Sequence, residues 1–507
     1  MDNFNNLPDE RRNYIRSLCF VLQATINELF PDKVLVIDYS LPSGLYCEVR
    51  ETRLSEDGRP LVHHLGWQDL AKIKERMTAI VEADYPITKE VVHYEKAKSI
   101  FLANNQVEKA KLLETRGREM VEIYWLNGHA DTFYGDLVSS TGVLKTFEII
   151  DFKEGFCLQY PLRMGTAELI PIKNQGKIAK ALKKHSDWCS ILGVTSVGTL
   201  NKAVMENRIV DIINLAETRH SVGYADIATK IYEQRNTTKI VFIAGPSSSG
   251  KTSTSLRLAL HLKVLGLNPK VIELDNYFVD RSRTPKDENG EYDFESLYAM
   301  DLELLGQQLN DLLEGKTVEI PRFDFKLGQG FFEGNYMTLE EKDILIMEGI
   351  HALNPAMIPG VDPSKVFRLY ASALTSLSLD ENNNISTADS RLLRRMVRDN
   401  RTRGINPEQT ILRWDSVRRG EDKNIFPFQE NADAVFNSAL IFELPLLKYY
   451  AEPLLKRISP TSPAYAEAVR LLKFLDYIVP LSPDEIAAIP PTSILREFIG
   501  GQTLERK

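Results

Sequence analysis

Gly245-Pro-Ser-Ser-Ser-Gly-Lys-Thr252 constrains the fold of this chain more than any other segment of its length. It fits G-x-x-x-x-G-K-[ST], and its flanks are the ones that spacing requires. The apolar run KIVFIA precedes it, and the helix-forming STSLRLALHLKVLG follows. Its glycines let the backbone curl so that N–H groups turn inward toward phosphate oxygens, and the start of the helix adds positive potential there. The expected cradle is Gly245, Pro246, Ser247, Ser248, Ser249, Gly250, Lys251, Thr252 and Ser253, with Lys251 on the β- and γ-phosphates of ATP and the Thr252 hydroxyl on Mg²⁺. Many nucleotide hydrolases and transferases share this loop, so it does not define a reaction.

The residues around the loop predict its setting. From Lys239 onward, the runs KIVFIAG, KVIELD, DILIMEG and VFRLYAS alternate with helical stretches, and ADAVFNSALIFEL is a further strand candidate. Continuous β-branched runs of this kind imply an α/β core, a parallel sheet with helices on both faces. Ligands gather at the carboxyl ends of such strands. KVIELD ends in Asp275, where a carboxylate would accept the proton of an attacking hydroxyl, although an Asp there also fits a cap on the next loop. DILIMEG ends in Glu348, placed to hold Mg²⁺ or its water, or an ordinary strand-end acid.

A second concentration of charge lies in DSRLLRRMVRDNRTRG, residues 389–404. Arg391, Arg394, Arg395 and Arg398 fall at i, i+3, i+4 and i+7 of one helical face, continued by Arg401 and Arg403. Such a row repels itself unless anions neutralise it, and planar guanidinium donors suit phosphate. A helix closing over a nucleotide would use them on the transferring group. A solvated basic face or an RNA-contacting patch fits the same spacing.

At 507 residues the chain is long for one domain, and composition shifts divide it. Residues 1–155 mix helix and strand signals, with apolar helical spacing over 9–30, strands VLVIDYS and GLYCEVR about a Pro-Ser-Gly turn, and a helix over 67–84. Residues 156–236 read as a mostly helical connector, 237–458 as the α/β unit, and 459–507 as a helical tail. With 62 basic and 70 acidic residues the chain is globally repelled by phosphate backbones, so nucleic acid is a poor default partner. No run approaches the length of a membrane helix, and MDNFNNLPDERRNY has no signal-peptide core. Cys19, Cys47, Cys157 and Cys189 lie far apart and read as thiols in a reducing cytoplasm. His63 and His64 are adjacent, with diverging side chains, and read as structural. His351 follows Glu348 closely and reads as packing or hydrogen-bonding, with direct substrate contact as the alternative.

GPSSSGKT, LDNYF, Tyr292-Asp293-Phe294, PRFDF (321–325), EGIHALNP and RRMVRDNRTRG, in this order over roughly 238–440, resemble the uridine kinase and phosphoribulokinase family. The resemblance implies Asp275 as the base, Asp293 near a ribose, and the arginine segment as a lid. It places Tyr277, Phe323, Asp324 and Arg395 around the acceptor, Arg394 and Arg403 on the nucleotide, and Arg398 at the transferring phosphoryl. One departure stands out: where uridine-reading members carry Tyr and His, this chain has Phe323 and Gly328. A hydrogen-bonding pocket discriminates strongly and an apolar one weakly, which leaves the acceptor open.

The first 155 residues resemble, more diffusely, the editing-side domain of threonyl- and alanyl-tRNA synthetases. Counting back from Leu29-Phe30-Pro31, the two His positions of the metal site in those domains fall on Arg16 and Phe20, and the later Cys and His positions fall near Phe133 and Leu137, none a normal zinc ligand. The resemblance therefore implies a domain without that chemistry. Together these readings predict a cytoplasmic, ATP- and Mg²⁺-dependent transfer to the 5′-hydroxyl of a nucleoside, by a chain whose oligomeric state stays open. A kinase of a sugar phosphate or other polyol is the nearest alternative. An RNA-binding regulator that uses the loop as a nucleotide sensor is a more distant one.

Overall fold

The computed structural model describes residues 8–504 apart from 42–43, 56–59, 162–164, 170, 172–175, 287–289, 359 and 376. Pro42 and Ser43 of the expected turn thus lie outside the described residues. Five strands form the parallel sheet, in the spatial order Asn268–Glu273, Asp343–Glu348, Ile240–Ala244, Val366–Ser372 and Ala434–Asn437. In the central strand Ile240, Phe242 and Ala244 enter one hydrophobic core, and Val241 and Ile243 enter the core on the opposite face. Alternate residues face opposite sides of a sheet, so a strand covered on both sides reads as an unbroken apolar run. Register sets the site: Glu273 pairs with Glu348, and Glu348 pairs with Ile243. Asp275, Glu348 and the loop from Gly245 therefore emerge at the same edge.

The amino-terminal region is built on the helix Pro8–Leu29, the antiparallel strands Lys33–Leu41 and Gly44–Leu54, and the helix Trp67–Glu82. The strand Gly155–Gln159 pairs with both Gly44–Cys47 and Glu148–Phe152. The expected break at 155 thus falls inside a hairpin, and the first sheet runs on to Gln159. Composition changes near 155, but hydrogen bonding does not stop there.

The connector supplies the helices Gly176–Leu192, Val197–Met205 and Ile209–Glu233. It shares a core with the arginine helix Thr387–Arg403 and the 459–507 segment: Leu200, Ile213, Leu393, Met396, Leu447, Leu471 and Phe498 belong to one buried cluster. Each such large apolar side chain contributes about 1.5–3 kcal/mol on full burial. The connector and the last segment are therefore structural supports of the arginine helix.

The loop before that helix reaches into the amino-terminal region. The fully buried Lys109 ammonium pairs with Asp131 and, at 3.7 Å, with Asp380. Asn382 Nδ2 donates to the Leu35 carbonyl at 2.9 Å, and Asn383 Nδ2 to the Thr132 carbonyl at 3.1 Å. All four cysteines are buried, and none of them forms a disulfide. Among the described residues, no helix is long and apolar enough to cross a membrane.

Candidate active site

The loop after the central strand adopts its shape for steric reasons. A Cβ on Gly245 would lie 1.9 Å from the Ala371 carbonyl oxygen, so only glycine passes there. Gly250 has φ +81°, the left-handed region that glycine enters without strain. Residues Lys251–Val264 then form the helix whose first N–H groups are free of helical partners.

Beneath the loop sits a clamp. Arg391, almost wholly buried, forms two charged bonds with Glu421 and donates to the Ser247 carbonyl at 3.2 Å. Glu421 in turn accepts the Ser247 N–H at 3.0 Å, and Arg395 donates to the Ser247 hydroxyl at 2.7 Å. Arg394, fully buried, pairs with Glu443 and donates to the Ser438 carbonyl at 3.0 Å, while the Ser438 hydroxyl donates to the Ser249 carbonyl at 2.5 Å. Two expectations change here. Arg394 is enclosed by protein partners and does not reach toward a nucleotide. Ser247 has its N–H, carbonyl and hydroxyl all engaged by the clamp. The physical reason is burial: a guanidinium inside the fold must have a carboxylate partner. The inner half of the row is thus taken up by protein partners.

The outer arginines remain at the site. Arg395, Arg398 and Arg403 converge on the buried Asp399, at 3.3, 2.9 and 3.5 Å. Three cations against one carboxylate leave net positive charge facing the loop. Burial lowers the pKa of Arg395, with Arg398 adding to that fall and Asp399 opposing it; burial and Arg398 do the same to Arg403. An arriving polyphosphate would relieve both.

On the other side, Asp275 stands open to solvent just past the end of its strand. Burial by the surrounding walls raises its pKa, opposed by the Lys251 ammonium and the Arg403 guanidinium. A raised pKa makes the carboxylate a stronger proton acceptor. The fully walled Glu348 accepts the Thr252 hydroxyl at 2.6 Å; burial pushes its carboxyl up to about 7, with Lys251 opposing. Magnesium keeps most of its waters and takes one or two protein oxygens beside phosphates, so Thr252 and Glu348 fit such an ion. Among the described residues no group of three or more His, Cys, Asp or Glu side chains forms an all-protein metal cage.

The acceptor side differs from expectation in several places. Tyr277 turns inward: its hydroxyl donates to Gln308 Oε1 at 2.8 Å in the core, because it falls two residues past Asp275 on a short helical turn that buries it. Asp324 caps the hairpin turn that it begins, accepting the Lys326 and Leu327 N–H groups at 2.7 and 3.0 Å. Those bonds hold its carboxyl below the usual range. Phe323 packs against Phe278, ring centroids 5.6 Å apart, and Phe325, 5.1 Å apart. Gly328 closes the turn at φ +71°, with Arg281 Nε 2.8 Å from any added Cβ. A histidine does not fit that backbone. Asp293 Oδ1 accepts the Glu295 N–H at 3.1 Å and so steadies the loop bearing Glu295. Burial and Glu421 raise the Glu295 carboxyl to about 7, against the pull of Arg395 and Lys251. Glu295, Glu421 and Glu443 escaped sequence reasoning because none sits in the motif it serves, and Asp399, inside the arginine run, was passed over among its basic neighbours. His351 is buried, its pKa lowered to about 4 by desolvation, which keeps the ring neutral.

The sequence model of the Phosphoribulokinase / Uridine kinase family matches residues 240–441. A uridine kinase of Macrococcus caseolyticus is 33% identical over 199 residues, 39% of this chain and 87% of that protein. The chain belongs to this family.

A uridine kinase of Staphylococcus epidermidis is 30% identical over 201 residues, with the same shares. The solved structure described as a possible uridine kinase from Bacillus stearothermophilus is 18% identical and covers 43% of this chain and 99% of its own, with a TM-score of 0.29. In this phosphoribulokinase/uridine kinase family member the matched region holds the parallel sheet, the loop, the hairpin of residues 322–331 and the arginine helix. The amino-terminal region, the connector and the last segment lie outside it.

Proposed function

We propose that this chain is an ATP-dependent kinase that transfers the γ-phosphoryl to the 5′-hydroxyl of a nucleoside. The observation that carries this reading is a set of linked charges: Asp275 lies under the influence of Lys251 and Arg403, and Arg395, Arg398 and Arg403 share a single carboxylate, Asp399. Asp275 takes the proton of the acceptor hydroxyl. Lys251 and the outer arginines hold the charge of the transferring group, and little else is needed for an in-line transfer. Magnesium, held through Thr252 and the ionised Glu348, would neutralise phosphate charge when bound.

A neutral, hydroxyl-rich acceptor is favoured by Glu295 and Asp275, both facing the site. A phosphorylated acceptor would meet two carboxylates there. The trio Phe278, Phe323 and Phe325 offers apolar ring faces to a planar base, without the Tyr and His that read uracil in related kinases. The amino-terminal region fits the synthetase-like reading in one respect: Phe20 and Phe133 meet, ring centroids 5.6 Å apart, and Leu137 packs on the same core. Apolar side chains there leave no ligand set, and the buried thiols suit a reducing cytoplasm.

Phosphotransfer from Mg-ATP to a panel of pyrimidine and purine nucleosides, free sugars and sugar phosphates tests the reading, with products assigned by phosphorus NMR. The expected product is a nucleoside 5′-monophosphate. Turnover of sugars or sugar phosphates alone would replace the nucleoside with a polyol and keep the transfer.

A further inference from the structure

The segment after Pro490 is not a free end. Ile494, Leu495 and Phe498 are fully buried in the core of the arginine helix, and Ile494 packs on Gly250, its Cδ1 2.4 Å from where a Cβ would stand. Arg401 fixes the backbone, donating to the Glu497 carbonyl at 2.8 Å and the Phe498 carbonyl at 3.0 Å. This anchorage presents the Glu497 side chain to the start of the loop helix. One carboxylate oxygen, Oε2, accepts both the Ser253 N–H, at 3.3 Å, and the Ser253 hydroxyl, at 2.7 Å. Gln502 Nε2 also donates to the Ser253 hydroxyl, at 2.8 Å.

Ser253 is two residues past Lys251, within the first turn of its helix. The N–H groups of that turn are the donors that bind anions at a helix start, and here they belong to the phosphate cradle. A carboxylate bonded to both donors of Ser253 stands in for a phosphate oxygen. Its siting also has a cost, because Glu497 faces the Glu348 carboxylate, and the two repel. A cation-rich surrounding that includes Arg403 offsets it.

We infer that Glu497 is an intramolecular competitor for the phosphate cradle: its carboxylate occupies the Ser253 donors and must swing away before a nucleotide phosphate takes them. The inference rests on the reading of residues 245–253 as that cradle. Apparent affinity falls by the fraction of molecules with the site open, so a carboxylate that holds the closed state nine times in ten weakens nucleotide binding about tenfold. The chain thereby carries a brake on nucleotide binding in a segment beyond the family region.

Calorimetric titration of the full chain with ADP and with inorganic tripolyphosphate tests this, comparing wild type, Glu497→Gln, Glu497→Ala and Lys251→Ala. The Glu497 variants are expected to bind both anions about tenfold more tightly, and Lys251→Ala to lose affinity. Unchanged or weaker binding by the Glu497 variants, with Lys251→Ala impaired, overturns the competitor and leaves the cradle standing. Normal binding by Lys251→Ala removes the cradle and the competitor together. Amide exchange of the wild-type segment 497–503 needs no variant: tripolyphosphate is expected to speed it, and slowed or unchanged exchange overturns the proposal.

Discussion

Arg391 and Glu421 are joined by two charged bonds inside the protein, and both also bind the backbone of Ser247. The pair ties the arginine helix to the nucleotide loop, so the loop's shape depends on residues far along the chain. Removing one partner of a buried pair leaves an uncompensated charge, which costs about 3–5 kcal/mol. Glu421→Ala is expected to lose about that much stability in urea unfolding. A stability within about 1 kcal/mol of wild type would mean the clamp does not hold the loop.

Asp275→Asn keeps the shape of the side chain and removes its basicity. Turnover is expected to fall about 10²-fold or more, because a positioned base contributes on the order of 10²–10⁴. Nucleotide affinity, measured by titration, is expected to stay within about threefold. Near-full turnover would remove Asp275 from the role of proton acceptor.

Glu348 gives a pH dependence with a definite sign. Its carboxyl moves from 4.5 to about 7, so the folded, ligand-free protein holds a proton there that the unfolded chain releases. That contribution to stability is complete below about 4.5 and is lost as pH rises through about 7. A Mg-nucleotide complex uses the ionised form, so its affinity is expected to rise up to about tenfold per pH unit toward pH 7 and then level off. Glu348→Gln is expected to bind more weakly with a flat profile from pH 5.5 to 8.5. A wild-type profile as flat as the variant's would contradict the assignment.

Gly328→His restores the residue found in uridine-reading relatives but not their pocket. The left-handed backbone and the Arg281 side chain beside it predict a loss of about 1–3 kcal/mol. No gain in pyrimidine nucleoside turnover is expected. A stable variant with enhanced uridine turnover would show that the turn adapts.

Lys109→Met tests the junction between the first region and the loop before the arginine helix. It leaves Asp131 and Asp380 buried without their cation, at an expected cost of about 3–5 kcal/mol. Calorimetry and intrinsic fluorescence should both report the loss. A variant as stable as wild type would mean that the junction does not depend on this buried charge cluster.

The nucleotide loop, the five parallel strands and the strand-end acids were legible because each is local. Gly245, Gly250 and Lys251 sit in one eight-residue pattern, and a strand buried on both faces writes its environment into consecutive residues. The arginine helix was half legible. Spacing puts Arg391, Arg394, Arg395 and Arg398 together, but only the fold reveals that the first two are locked by Glu421 and Glu443, 30 and 49 residues on. Tyr277 and Asp324 were misplaced for a related reason. Whether a side chain turns toward a ligand or into its own turn depends on backbone direction, which residue type does not record.

The sequence by itself determined that a phosphate cradle would form at the edge of a parallel sheet, since steric limits on glycine and the period of a strand act within a few residues. Tertiary structure alone decided which charges face that cradle. Burial compels each guanidinium and carboxylate to find a partner, and the partners come from whichever distant segments the packing brings near. That is how Arg391 came to meet Glu421, and how Glu497, nearly 250 residues past the loop, came to rest on Ser253.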